Sequence, residues 1–152
     1  MSDNVTDRLT PDGERLKREL EELSKLEVRV GFQQGEATTD DGIDMCDIAM
    51  WNEMGTLRSP SRPFMRDAVD NHEAEINNFC KSQQNNIINS TAEQVLKLTG
   101  IFLKDLIQNE IVDGNFAPNA PYTIAKKGSD KPLIDTGRMR QSVNYVIKPK
   151  GS

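Results

Sequence analysis

Two segments far apart in this chain punctuate it in the same way, and they limit what it can fold into. The first is Asn52-Glu53-Met54-Gly55-Thr56, followed by Pro60-Ser61-Arg62-Pro63-Phe64-Met65-Arg66. The second is Pro132-Leu133-Ile134-Asp135-Thr136-Gly137-Arg138-Met139-Arg140-Gln141-Ser142. Each stops a regular element with glycine, turns the chain with proline and starts a new element with a basic, amphipathic stretch. Neither brings together a set of catalytic groups.

The residues between these breaks give an order of elements. Thr10 suits an N-cap, with Pro11 at the first helical position. Leu16, Leu20 and Leu23 then recur at helical spacing to about Lys25. Val28, Val30 and Phe32 alternate with Arg29 and Gly31, which predicts a strand. Residues 33–42 hold Gly, Thr and Asp without periodicity and form a loop. Asp44 caps a short helix that Gly55 ends, with Met45, Ile48, Ala49 and Asn52 on one face. Pro63 opens a helix carried by Met65, Ala68, Val69, His72, Ile76 and Phe79 to about Lys81. The longest helix runs from about Asn85 to Ile111 on a stripe of Ile88, Thr91, Val95, Leu98, Phe102 and Leu106. Gly100 inside it costs about 1 kcal/mol against alanine and marks a kink or a close approach. Residues 113–135 are a long connection with Pro118, Pro121 and Pro132, in which Tyr122, Thr123 and Ile124 suit a short strand. Asp135 or Thr136 caps a helical turn through Arg138 and Met139. Val143, Tyr145 and Ile147 alternate as a last strand. Residues 1–26 form an N-terminal helix ahead of a single domain over 27–152.

Composition narrows the class. A chain of 152 residues has length for one domain. Hydrophobic residues make up 36% and mean hydropathy is −0.63. That implies a thin core, suited to a protein stabilised by neighbouring copies. No run of about 18 apolar residues predicts a membrane span, and the acidic N-terminus has no apolar signal-peptide core. Cys46 and Cys80 lie in helical patterns and are expected as buried, reduced, intracellular thiols. Residues 1–57 carry 6 basic and 14 acidic side chains, a balance of −8, whereas residues 126–152 carry 7 and 2, a balance of +5. This asymmetry fits either solvated surface or a head-to-tail contact in which the basic end of one copy meets the acidic part of the next. The net charge of −5 argues against a dedicated DNA binder.

Candidate chemistry is sparse. Leu133-Ile134-Asp135-Thr136-Gly137 resembles the active-site strand of a retroviral-type aspartic protease, where two such aspartates share a proton. Such enzymes are almost all β, whereas this chain reads as about half helix. Only residues 138–152 follow the Asp-Thr-Gly triplet, and Arg138 and Arg140 crowd it with positive charge. His72, the only histidine, shares a face with Met65, Val69 and Ile76 and reads as core or boundary. No spacing joins it to Cys46 and Cys80 as a metal site. Asp40-Asp41-Gly42-Ile43-Asp44 resembles a calcium loop but lacks the regular ligand positions and the closing glutamate. There is no glycine-rich phosphate loop. The chain is therefore expected to be no enzyme and to carry no cofactor.

Together the two segments resemble the signature of neck and tail-completion proteins of tailed phages, the lambdoid tail-component and Mu-type virion morphogenesis families. The typical pattern is Asn-Glu-Phe-Gly-Thr, a short loop and Pro-Ala-Arg-Pro-Phe-Leu or Met, then Pro-Leu-x-Asp-Thr-Gly-x-Leu or Met with a later serine. Here Met54 replaces the aromatic and Ser61 the alanine, while Met139 and Ser142 fit. Val28-Arg29-Val30-Gly31-Phe32 matches the opening strand, so the resemblance covers roughly residues 28–148. It implies an α+β fold: a small antiparallel sheet packed by helices, one of them long, with long extended loops. The order of elements read from the residues agrees. It also implies a virion protein at the head–tail junction or tail end, made in the host cytoplasm. The structural motif is then Asn52, Gly55, Thr56, Arg62, Pro63, Phe64, Asp135, Thr136 and Gly137. The subunit forms a homo-oligomeric ring, a hexamer rather than a dodecamer. Its neighbours are a portal, connector or head-completion protein and a tail terminator or tube protein, with DNA only as cargo through the lumen and no membrane. From the charge asymmetry, Lys126, Lys127, Lys131, Arg138 and Arg140 are expected to face neighbouring subunits or the adjoining ring more than the lumen. The alternatives are a non-enzymatic binding or regulatory module and, more remotely, the protease.

Overall fold

The computed structural model describes residues 8–114 and 137–152. The fold is α+β: a two-stranded antiparallel sheet and six α-helices among the described residues, one of them 22 residues long. Helix α1 spans Pro11–Lys25 and strand β1 spans Leu26–Gly31. Helices α2, α3 and α4 cover Met45–Met54, Phe64–Asp70 and Glu73–Asn86. A 3-10 turn at Ile87–Asn89 leads to α5, Ala92–Asp113. Helix α6, Arg138–Gln141, precedes strand β2, Asn144–Pro149.

Local chemistry explains the boundaries that hold. The Thr10 hydroxyl accepts the Gly13 amide at 3.1 Å, and Pro11 stands in the first turn of α1. The Asp44 carboxylate accepts the Cys46 amide at 2.9 Å and starts α2. Thr91 accepts the Gln94 amide at 3.1 Å and starts α5. Each cap satisfies an amide that the first helical turn leaves without a partner.

β1 and β2 pair with Leu26 opposite Pro149, Val28 opposite Ile147, Val30 opposite Tyr145 and Gly31 opposite Asn144. This register puts Val28, Val30, Ile147 and Tyr145 on one face, since opposed residues of an antiparallel pair share a side. Glu27, Arg29 and Lys148 lie on the other, where Glu27 and Arg29 pair at 2.6 Å. α5 packs against both strands, and Gly100 explains how closely: a Cβ there would lie 2.6 Å from the Tyr145 ring. The glycine marks a close approach of strand to helix. The core gathers at the C-terminal half of α5, where Ile107 and Ile111 meet Met45, Ala49, Phe64, Ala68, Met139 and Val143.

Helix α1 is tied to the other end of α5. The Arg15 guanidinium donates to the carbonyls of Ser90, at 2.8 Å, and Ile88. The Glu19 carboxylate accepts the Ala92 amide at 2.7 Å. None of α1's own residues is buried.

Several expectations are corrected. The helix expected from Pro63 to about Lys81 is two helices, broken at Asn71 and His72. Val69 turns out half exposed. The long helix starts at Ala92, not near Asn85, because Thr91 supplies its cap; Ile88 lies before it and is exposed. Pro63 is the residue before α3 and not its first member. The N-cap position of α6 is Gly137 at φ 70°, and the Asp135 and Thr136 expected to cap this turn lie outside the described residues. Cys46 is half-buried and Cys80 exposed, so Cys80 is no core thiol. The strand expected at Tyr122–Ile124 lies outside the described residues.

Candidate functional site

The first motif forms a joint between α2 and α3. Gly55 ends α2 at φ 77°, and its amide donates to the Trp51 carbonyl at 2.9 Å. The backbone of the returning chain passes so near that a Cβ on Gly55 would sit 2.8 Å from the Ser61 amide nitrogen. Both facts demand glycine. Thr56 closes the turn, its hydroxyl accepting from the amides of Arg58 and Ser59 at 3.3 and 3.1 Å. The return is fixed by the Arg62 amide donating to the Asn52 carbonyl at 2.6 Å and the Ser61 hydroxyl donating to the Glu53 carbonyl at 2.6 Å.

Glu53 has a role that the sequence did not disclose. Pro63 offers α3 no side-chain cap. The Glu53 carboxylate instead accepts the amides of Met65 and Arg66 at 2.9 and 3.1 Å. A negative group there also suits the positive end of the helix dipole. Phe64 then enters the core with no exposure and meets the Phe32 ring edge-on, centroids 5.9 Å apart. Arg62 is half-buried, and burial lowers its pKa from a value so high that it stays charged.

The second motif reaches the same place. Asn52 donates to the Ile48 carbonyl at 2.9 Å and points its amide at the Met139 sulfur, 3.9 Å away. Met139 is buried in the cluster that holds Phe64. The Gln108 amide donates to the Arg140 carbonyl at 3.0 Å, fixing α6 to α5. Arg138 pairs with Asp40 at 3.0 Å, so the basic segment meets the acidic loop within one chain. Arg140 has an exposed side chain. Asp135, Thr136, Lys126, Lys127 and Lys131 lie outside the described residues.

The acidic loop works as a scaffold. Asp44, besides capping α2, accepts the Gly35 amide at 2.8 Å, and Thr38 bridges to Asp44. No group of three or more His, Cys, Asp or Glu side chains able to hold a metal ion occurs among the described residues. No helix among them is long and apolar enough to cross a membrane.

Beside the joint, α2 presents an apolar outer face. Met50, Trp51 and Met54 are exposed along it, and Leu57 projects fully from the following turn. Comparison with protein-family models, with curated proteins and with solved structures finds no match.

Proposed function

We propose that this chain is a structural, non-enzymatic subunit of a tailed-phage virion, acting at the head–tail junction or tail end. The observation that carries this reading is the convergence of both resembling segments on one packed joint, Asn52 against Met139. The polar groups of that joint are occupied in caps and turns: Glu53 on α3, Thr56 within its own turn, and Asn52 on a backbone carbonyl. Such an arrangement fixes shape and leaves little for chemistry. The apolar outer face of α2 suits a protein whose surface is covered in an assembly. The proposed assembly is a homo-oligomeric ring, a hexamer, between a portal or head-completion protein and a tail terminator or tube protein. DNA crosses its lumen as cargo.

Sedimentation across a salt series tests this, with circular dichroism as the folding control. A hexamer has six times the 17.1 kDa mass of the chain. Arg138 is already engaged with Asp40, so the charge reversals to make are Arg140→Glu and Lys127→Glu. They are expected to weaken assembly as raised salt does, because exposed charge contacts are screened beyond about 10 Å at 0.1 M ionic strength. A wild type that stays monomeric with head and tail partners present ends the ring reading. Assembly indifferent to both charge reversal and salt ends its electrostatic part.

A further inference from the structure

The break between α3 and α4 holds a cluster that the assembly reading does not use. His72 stands at the N-cap of α4 with φ −123° and ψ 24°. Its Nδ1 lies 3.1 Å from Glu75 Oε1, and its Nε2 lies 3.6 Å from Glu110 Oε2. Glu110 comes from α5 and is 8% exposed, the one buried charged residue among those described. Its other oxygen is 3.5 Å from the Asn71 amide. The ring is thus placed between two carboxylates carried by two helices.

A neutral imidazole carries one N–H and one lone pair. It can donate to Glu75 or to Glu110, and its other nitrogen then faces a carboxylate oxygen lone pair against lone pair. The imidazolium donates from Nδ1 to Glu75 and sets its second N–H and its positive charge against Glu110, an ion pair at 3.6 Å. A buried carboxylate without a counter-charge is costly, and the imidazolium supplies one beside Glu110.

We propose that His72, Glu75 and Glu110 form a proton-operated clamp that holds the α3–α4 bend against α5 and opens as the ring loses its proton. The charged groups that reach the ring are Glu75 on α4 and Glu110 on α5. At the end of α3 stands the neutral Asn71 amide. The hydrogen bond to Glu75 is the largest influence on the ring and raises its pKa; burial opposes it, and the charges of Glu75 and Glu110 add to the rise. A raised folded pKa makes the stabilisation complete below the ordinary histidine value of about 6.5 and removes it as pH climbs through the folded value. Further along α4, Phe79 stacks on Phe102 at 4.2 Å. Opening is therefore confined to the bend and the first turn of α4.

The chain has a single histidine, so its ring protons titrate without overlap in NMR. The expected midpoint lies above that of the same histidine in the urea-unfolded chain, and Glu110→Gln moves it down. Amide protection at residues 71–76 falls through the same transition, while protection in α5 holds. The melting-temperature advantage of wild type over His72→Gln is present at about pH 5.5 and gone by about pH 8.5. Should His72→Gln fail to fold, Glu75→Gln, at a mostly exposed position, carries the comparison with the same expected loss. A folded-state midpoint at or below the unfolded one, or protection at 71–76 unchanged across it, overturns the clamp.

Discussion

Gly100→Ala sets two effects of similar size against each other, and the structure decides between them. Within α5, replacing glycine by alanine gains about 0.8–1.0 kcal/mol of helix propensity. The added methyl, however, would lie 2.6 Å from both Cγ and Cδ2 of Tyr145 and 3.0 Å from its Cβ. These atoms are the root of the side chain, not a flexible tip. They are held by β2, where Tyr145 opposes Val30. Relief requires α5 and the sheet to separate, and overpacking of this kind costs about 1–3 kcal/mol. The net expectation is a loss of about 1 kcal/mol, or a melting temperature lower by about 2–4 °C for a chain of this size. Urea and thermal unfolding followed by circular dichroism measure it. In a Tyr145→Ala background the obstruction is gone, and the same Gly100→Ala change is expected to stabilise by about 1 kcal/mol. Stabilisation by Gly100→Ala in the wild type would refute the reasoning, because α5 and β2 would then have room that the close approach denies.

Phe64→Ala empties a fully buried ring site and is expected to cost about 3–5 kcal/mol; an unchanged denaturation midpoint would place Phe64 outside the core. Glu53→Ala removes both acceptors at the start of α3 and should cost about 0.5–2 kcal/mol, with amide exchange at Met65 and Arg66 rising first. No effect on either measure would mean that the turn alone sets α3. Asp135→Asn is expected to leave no hydrolytic activity to lose; pepstatin-sensitive proteolysis abolished by this change would revive the protease alternative.

Legibility in the sequence followed the range of the interactions. α1, β1 and α2 were readable because their limits rest on neighbours in the chain: Thr10 with Pro11, the alternation of Val28 and Val30, and Asp44 with Gly55. The start of α5 was available in Thr91 and Gln94, a capping pair three apart, but the apolar Ile88 drew the helix too far back. The break at Asn71 and His72 left no mark, since the apolar spacing from Met65 to Phe79 runs through it without proline or glycine. At the joint, the glycine and the buried Phe64 were visible as types. The reach of Glu53 across the turn to α3, and that of Glu110 to His72, depend on how helices meet in space. No periodicity records either.

The pairing of Leu26 with Pro149 and Gly31 with Asn144 also has a consequence for synthesis on the ribosome. Strand β1 emerges more than a hundred residues before its hydrogen-bonding partner, which begins at Asn144. At about 5–20 residues per second the wait is on the order of ten seconds. Helices α1 to α5 have part of their contacts in that interval, with Met139 and Val143 of the core still to come, so the nascent chain can gather around α5 while β1 keeps an unpaired edge. An unpaired apolar strand is a template for pairing with other chains. Emergence of β2 is therefore the event that pairs β1, and a nascent chain stalled before Asn144 is a species in need of a chaperone.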